Sequence, residues 1–274
     1  MGFLYGVQVM DADHQDSMNQ IFIEENQIAD GCVYITGIDA NHIGNVLRMK
    51  KGEKLRVCIP EGKAYLCEIE SVKPGEVRGR ILDFDGTCAE LSGHIVLYQG
   101  LPKGDKMELI IQKAVELGAE RIVPVAMTNC VVKLDAAKAQ KKEKRYQAIA
   151  HAAASQSRRT RIPRADRILK FDQAVREACA CDVVLVPYEM ADADTMLYTK
   201  QVIEGILPGM SVGVFIGPEG GFDPKEITLL GQICGQKAKI ISLGRRILRT
   251  ETAGLTMLSL LMYHFEVTDA KEES

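Results

Sequence analysis

Ile216-Gly217-Pro218-Glu219-Gly220-Gly221-Phe222 is the stretch whose reading decides the fold. Val212, Val214 and Ile216 alternate before it in the manner of a strand, and a helix opens after it. Asp223 suits the N-cap, Pro224 the first helical position, and Glu226 completes a capping box. So much glycine in a turn leaves backbone N–H and C=O groups bare, where side chains would keep a ligand away. A second such turn, Leu243-Gly244-Arg245-Arg246-Ile247-Leu248-Arg249-Thr250-Glu251-Thr252-Ala253, joins another short strand to an apolar helix. Two strand–turn–helix units of this kind predict one small-molecule pocket, built where neighbouring strands end.

Working outward, the rhythm before the first turn continues as strand then helix back to about Ser92. The spacing predicts strands at 95–98, 121–125, 182–186, 211–216 and 239–243. Helices are predicted at 106–117, 136–155, 172–179, 195–204, 224–235 and 251–265. Asp105 and Glu108 stand in capping-box spacing at the first of these helices. Such alternation means a mainly parallel sheet with helices on both faces. From residue 18 to about residue 91 the pattern is different. Short β runs at 20–23, 32–35, 54–59, 64–71 and 76–83, punctuated by Gly, Pro and charge, predict a small barrel or sandwich carrying one short helix over 41–48. The expected domains are therefore 18–91 and 92–268. Residues 1–17 are expected to be either an upstream extension outside the fold or a stretch foreign to the natural chain, and residues 269–274 a frayed acidic tail.

With 274 residues, 46% hydrophobic and 26% charged, the chain has ample core for two ordinary domains. A net charge of −3 argues against indiscriminate coating of nucleic acid, although it permits a local basic surface. The eight cysteines show no metal-ligand spacing, and reduced thiols in a cytoplasmic protein is the expected reading. No segment looks like a signal peptide or a membrane span. The five histidines form no zinc motif, so no metal is expected.

Neither a Walker A loop nor a dinucleotide fingerprint is present, and no nucleophile elbow. Instead the two turns set Glu219, Arg249 and Glu251 among apolar Ile216, Leu243, Ile247 and Leu248, a mixture that suits a nucleoside-bearing ligand. A basic tract lies upstream: nine Lys or Arg residues fall between Lys141 and Arg167, against two acids. Lys141–Arg145 reads as a solvated helix face. Arg158, Arg159, Arg161 and Arg164, on a loop broken by Pro163, offer planar forks matched to phosphate, which points to a nucleic-acid partner. Arg48 and its lysine neighbours either extend that surface or are ordinary exposed charge.

Together these residues resemble the SPOUT class of methyltransferases, and within it the RsmE family that methylates N3 of a uridine in 16S ribosomal RNA of the small subunit. The resemblance rests on four segments: His42–Arg48; Lys103–Glu108 through Lys113–Gly118; Ser155–Arg159; and Ile216–Phe222 taken with Leu243–Ala253. It spans about residues 18–265. It implies an α/β parallel-sheet domain with a deep trefoil knot, a small N-terminal PUA-like β-barrel, S-adenosylmethionine as donor and a homodimer. By motif position, the donor is expected against Leu185, Pro187, Tyr188, Ile216, Gly217, Pro218, Glu219, Gly220, Leu243, Gly244, Ile247, Leu248 and Arg249. Arg249 is expected to stabilise charge on the ionising uracil, with Glu219 or Glu251 orienting the base or accepting its proton. Arg48, Lys103, Gln156, Arg158, Arg159 and Arg161 are expected on the RNA. A related enzyme acting on another atom, such as a ribose hydroxyl, and a non-catalytic RNA-binding assembly factor are the alternatives.

Overall fold

The computed structural model describes residues 18–132, 136–188 and 195–272. The expected extension over residues 1–17 lies outside the described residues. Two compact units divide between Thr87 and Cys88.

The first unit is a curled six-stranded sheet. Its strands are β1 (Gln20–Phe22), β2 (Ile28–Ala29), β3 (Cys32–Thr36), β4 (Lys54–Cys58), β5 (Ala64–Lys73) and β6 (Glu76–Asp85), in the order β1-β4-β5-β6-β3-β2. All neighbours are antiparallel except β1 and β4. Pro74-Gly75 closes the β5–β6 hairpin with Gly75 at φ 79°, as a proline-then-glycine turn requires. Register shifts at Leu66/Cys67 and Ile69/Ser71 bend these long strands, and Val33, Ile35, Leu55, Val57, Ile69 and Val77 fill the hollow. The expected helix over 41–48 is shifted. Here α1 (Gly37–Asn41) comes first, and His42–Val46 then widens into a π turn, with Leu47 N–H donating to His42 O at 2.9 Å. Buried Ile43 anchors that turn, and Arg48 ends it in a left-handed conformation, φ 53°.

The second unit alternates as expected. In chain order it runs β7 (His94–Gly100), α2 (Lys106–Glu116), β8 (Arg121–Ala126), α3 (Ala136–Gln156), β9 (Arg164–Ala165), β10 (Leu169–Lys170), α4 (Phe171–Ala178), β11 (Val183–Pro187), α5 (Thr195–Glu204), β12 (Ser211–Ile216), α6 (Pro224–Cys234), β13 (Ala238–Ile241) and α7 (Thr250–Glu272). Every pairing is parallel, in the order β10-β8-β7-β12-β11-β13, with β9 also on β8. The two-residue strands β9 and β10 carry too little pattern to be read from sequence. Central strands are buried along most of their length, as both-sided cover demands: Tyr98 and Phe215 stack with centroids 4.6 Å apart, and Phe171 meets Phe215 edge-on.

Two local expectations change. The box at Asp105 does not form, because Glu108 turns to Arg145 of α3 at 2.5 Å. The last helix also runs past its expected end at residue 265, since α7 continues to Glu272. No Pro or Gly follows Gly254 in it, and Lys271 complements the helix dipole at its end. Among the described residues no helix is long and apolar enough to cross a membrane.

Candidate active site

Because β7, β12, β11 and β13 are parallel neighbours, their carboxyl ends lie along one edge. The first turn is clamped there from three sides. Thr250 Oγ1 donates to Gly217 O at 2.5 Å and accepts from Gln99 Nε2 at 2.9 Å. Asn129 Nδ2 donates to Gly220 O and Gly221 O at 3.1 and 3.2 Å. Gly100 lets β7 approach so closely that a Cβ there would stand 2.6 Å from Pro218 N. The capping box then forms as the sequence predicts: Lys225 N–H donates to Asp223 Oδ1 at 2.8 Å, and Asp223 N–H to Glu226 Oε2 at 2.9 Å. Glu226 also accepts from the backbone and hydroxyl of Thr128, which ties the turn to the end of β8.

The second turn hangs from the buried hydroxyl of Thr199 in α5, which accepts from Ser242 N–H at 3.1 Å and donates to Ser242 O at 3.0 Å. Gly244 adopts φ 110°, and a Cβ there would point into open space. The backbone is thus bare where it lines a cleft of about 460 Å³ between the two turns. That volume lies in the range of small-molecule and cofactor sites, ~300–1,000 Å³.

Of the thirteen positions expected to hold a donor, Pro187, Tyr188, Ile216, Gly217, Pro218, Glu219, Leu243, Gly244, Ile247, Leu248 and Arg249 line this cleft. Leu185 and Gly220 do not. Leu185 is fully buried inside β11, and Gly220 faces Asn129, whose Cβ is 2.9 Å from where its own Cβ would be. Glu219 and Arg249 are therefore brought together on one cleft. Glu251 stands beside it through Lys106, whose ammonium is 3.1 Å from Glu251 and 3.2 Å from Glu219. Burial pushes the Glu219 carboxyl up, but hydrogen bonds from Lys103 N–H and from Lys106 outweigh it and hold the group below its ordinary value. Lys106, Phe222, Ser242, Arg245, Arg246 and Thr250 also line the cleft and carried no expectation. The strand-end rule points to Lys106, first residue of the helix after β7; nothing in the sequence pointed to Asn129.

The expected RNA contacts separate. Gln156, Arg158 and Arg161 are exposed at the end of α3 and beyond, with Arg158 left-handed at φ 58°. Lys103 is exposed, and Arg48 is exposed on the first unit. Arg159 is the correction. Its side chain is 5% exposed, donating to Glu90 at 2.5 Å and to the carbonyls of Val115 and Ala119. It cannot reach a phosphate. Among the described residues, no three His, Cys, Asp or Glu side chains cluster as metal ligands.

Comparison with known proteins gives this arrangement its class. Residues 89–262 match the family model of an RNA methyltransferase domain, and residues 35–82 that of an RNA methyltransferase PUA domain. A parallel α/β RNA methyltransferase domain with a PUA domain before it is the class that fold and cleft define. The ribosomal RNA small subunit methyltransferase E of Bacillus subtilis is 37% identical over 254 residues, 91% of this chain and 98% of that one. Its Mycobacterium tuberculosis counterpart is 31% identical over 82% of this chain and 83% of its own. This chain belongs to the ribosomal RNA small subunit methyltransferase E family. Among solved structures, a methyltransferase of Legionella pneumophila bound to S-adenosylmethionine superposes with TM-score 0.78 at 33% identity, covering 90% of this chain and 98% of that one. Ribosomal RNA small subunit methyltransferase E of Neisseria gonorrhoeae, also bound to S-adenosylmethionine, gives 0.76 at 29% identity, covering 89% and 96%.

Proposed function

We propose that this chain transfers a methyl group from S-adenosylmethionine to N3 of a uridine in 16S ribosomal RNA of the small subunit, acting in the cytoplasm as a homodimer. One observation carries the reading: two glycine-bearing turns, after β12 and β13 on either side of β11, enclose a cleft that also holds a guanidinium and a carboxylate. The residues fit the donor. Pro187, Ile216, Leu243 and Leu248 supply apolar wall for an adenine, while backbone of the two turns at Gly217 and Gly244, both on the cleft, supplies polar partners for its edge. When bound, the donor supplies an electrophilic methyl on a cationic sulfonium.

The chain's own residues must then make uracil N3 a nucleophile, since the neutral base carries a proton there. Arg249 faces the negative charge that spreads onto O2 and O4 as that proton leaves. Glu219 or Glu251 accepts the proton or orients the base. Arg158, Arg161, Gln156, Lys103 and Arg48 hold RNA, and the target base is splayed out to enter the cleft. Dimer formation is supported by apolar side chains left in the open on this unit: Leu197 is 70%, Tyr263 66% and Ile247 85% exposed. A knotted threading of the C-terminal segment belongs to the same proposal, with Thr250 at the start of α7 bonded to Gln99 and Gly217.

The test is methyl transfer onto small subunits lacking the modification, followed by nucleoside analysis and by sedimentation of the enzyme. The expected product is 3-methyluridine from a dimeric enzyme, and Arg249→Ala lowers transfer by about 100-fold or more while calorimetry still detects donor binding. Methyl found on ribose, or at another base atom, refutes the N3 assignment. A monomer at working concentration refutes the dimer.

A further inference from the structure

Lys106 opens α2, and its ammonium touches two carboxylates that arrive from distant parts of the chain. Nζ lies 3.2 Å from Glu219 Oε1 on the turn after β12 and 3.1 Å from Glu251 Oε2 in the first turn of α7. Glu219 Oε1 also accepts Lys103 N–H at 3.0 Å. The side chains are 30%, 27% and 19% exposed for Lys106, Glu219 and Glu251, against 68% and 59% for the solvent pair Lys200–Glu204. An open surface pair contributes little. This cluster is half withdrawn from water, joins three elements, and has two of its members on the cleft.

Two carboxylates around one point repel, and without a cation between them one would keep its proton at a higher pH than an ordinary acid. A protonated acid cannot accept the N3 proton. We infer that Lys106 is a positioning residue for methyl transfer: its ammonium holds Glu219 and Glu251 together, so that a carboxylate is in place when uracil loses its proton. The inference rests on the uridine N3 reading above. In the step concerned, the N3–H bond breaks, the proton forms an O–H bond on the carboxylate, and the electron pair stays on N3.

The backbone N–H of Lys103 and the ammonium of Lys106 approach Glu219 from the start of α2, Glu251 shares that ammonium from α7, and Arg245, Arg246 and Arg249 of the second turn line the same cleft. On the far side the Cys130 thiol, raised first by burial, also feels Glu226 and Glu219 as negative charge. Lys106 is the cation in direct contact with both acids, so its removal shifts Glu219 upward.

Lys106→Met tests this, with Lys106→Gln as a second uncharged version and Lys106→Arg as the conservative one. Carbon-13 NMR of labelled glutamate carboxyls, without donor, is expected to show the Glu219 midpoint rising by about one pH unit in both uncharged variants and returning toward wild type in Lys106→Arg. The acid limb of single-turnover methyl transfer should move up by the same amount, so that the rate falls several-fold on that limb while the neutral-pH plateau, where the carboxyl is still ionised, changes little. An unmoved midpoint, or a moved midpoint with an unmoved acid limb, overturns the inference, as does a loss of thermal stability alone. If wild type itself methylates no uridine while the midpoint moves, the functional reading fails and takes the methyl-transfer role of Lys106 with it.

Discussion

Arg159 stands in a segment so rich in arginine that each of its guanidiniums reads as an RNA contact, yet this one faces inward. Glu90 explains it. Its carboxylate accepts from Arg159, from the backbone of Thr160 and Arg161, and from the Thr160 hydroxyl, so the loop is pinned through its middle. Arg158 and Arg161 are left outside. The two kinds of arginine predict opposite behaviour. Arg158→Ala with Arg161→Ala should flatten the salt dependence of RNA binding by one to two units of slope, roughly 0.7–0.9 per phosphate contact, with little change in unfolding midpoint. Glu90→Ala takes the carboxylate away from a buried guanidinium and should cost about 3–5 kcal/mol in urea unfolding. An unfolding curve that Glu90→Ala leaves in place would contradict the inward role. Sequence showed the charges but not their directions, because Glu90 lies far back in the chain and only folding brings it to the loop.

At the scale of elements, local signals held where no distant partner competed. Asp223-Pro224-Lys225-Glu226 forms its box because Glu226 satisfies the Asp223 N–H while its other oxygen serves Thr128. Asp105 and Glu108 have the same spacing, but Arg145 is within reach and takes the carboxylate. The junction of β7 with the first turn depends on a missing side chain. Gly100→Ala would place a methyl 2.6 Å from Pro218 N and 2.8 Å from Pro218 Cδ, and backbone cannot swing aside as a flexible side chain does. Overpacking of this kind costs ~1–3 kcal/mol. The expected outcome is a lower melting temperature and donor affinity reduced about tenfold by calorimetry, since the turn that lines the cleft must move; wild-type affinity in this variant would show that the close approach is dispensable.

The whole molecule carries an acid limit set by paired carboxylates. Burial raises Asp85 and Glu90, but Thr87 and Arg56 around the first, and Arg159 with two backbone N–H groups around the second, bring both below their ordinary values of 3.8 and 4.5. Glu219 is held low in the same sense. A carboxyl depressed on folding contributes stability that is fully present above its unfolded value and is lost as pH falls through the folded one. Unfolding free energy should therefore be level in these groups above about pH 5 and fall steadily below about pH 4.5. Urea titrations from pH 3 to 7 measure it, and a curve flat down to pH 3 would remove these groups from the account.

The order of the longer strands and helices, the parallel sheet and the two ligand-facing turns were legible in the chain, because periodicity, capping residues and glycine placement act over a few neighbours. Tertiary structure alone decided which strand ends adjoin, that Lys106 gathers Glu219 and Glu251, that Arg159 turns inward, and that Leu185 and Gly220 stand off the cleft. Those outcomes depend on side chains meeting across scores of residues, and the competition among such partners is settled by packing and charge pairing that no local pattern records.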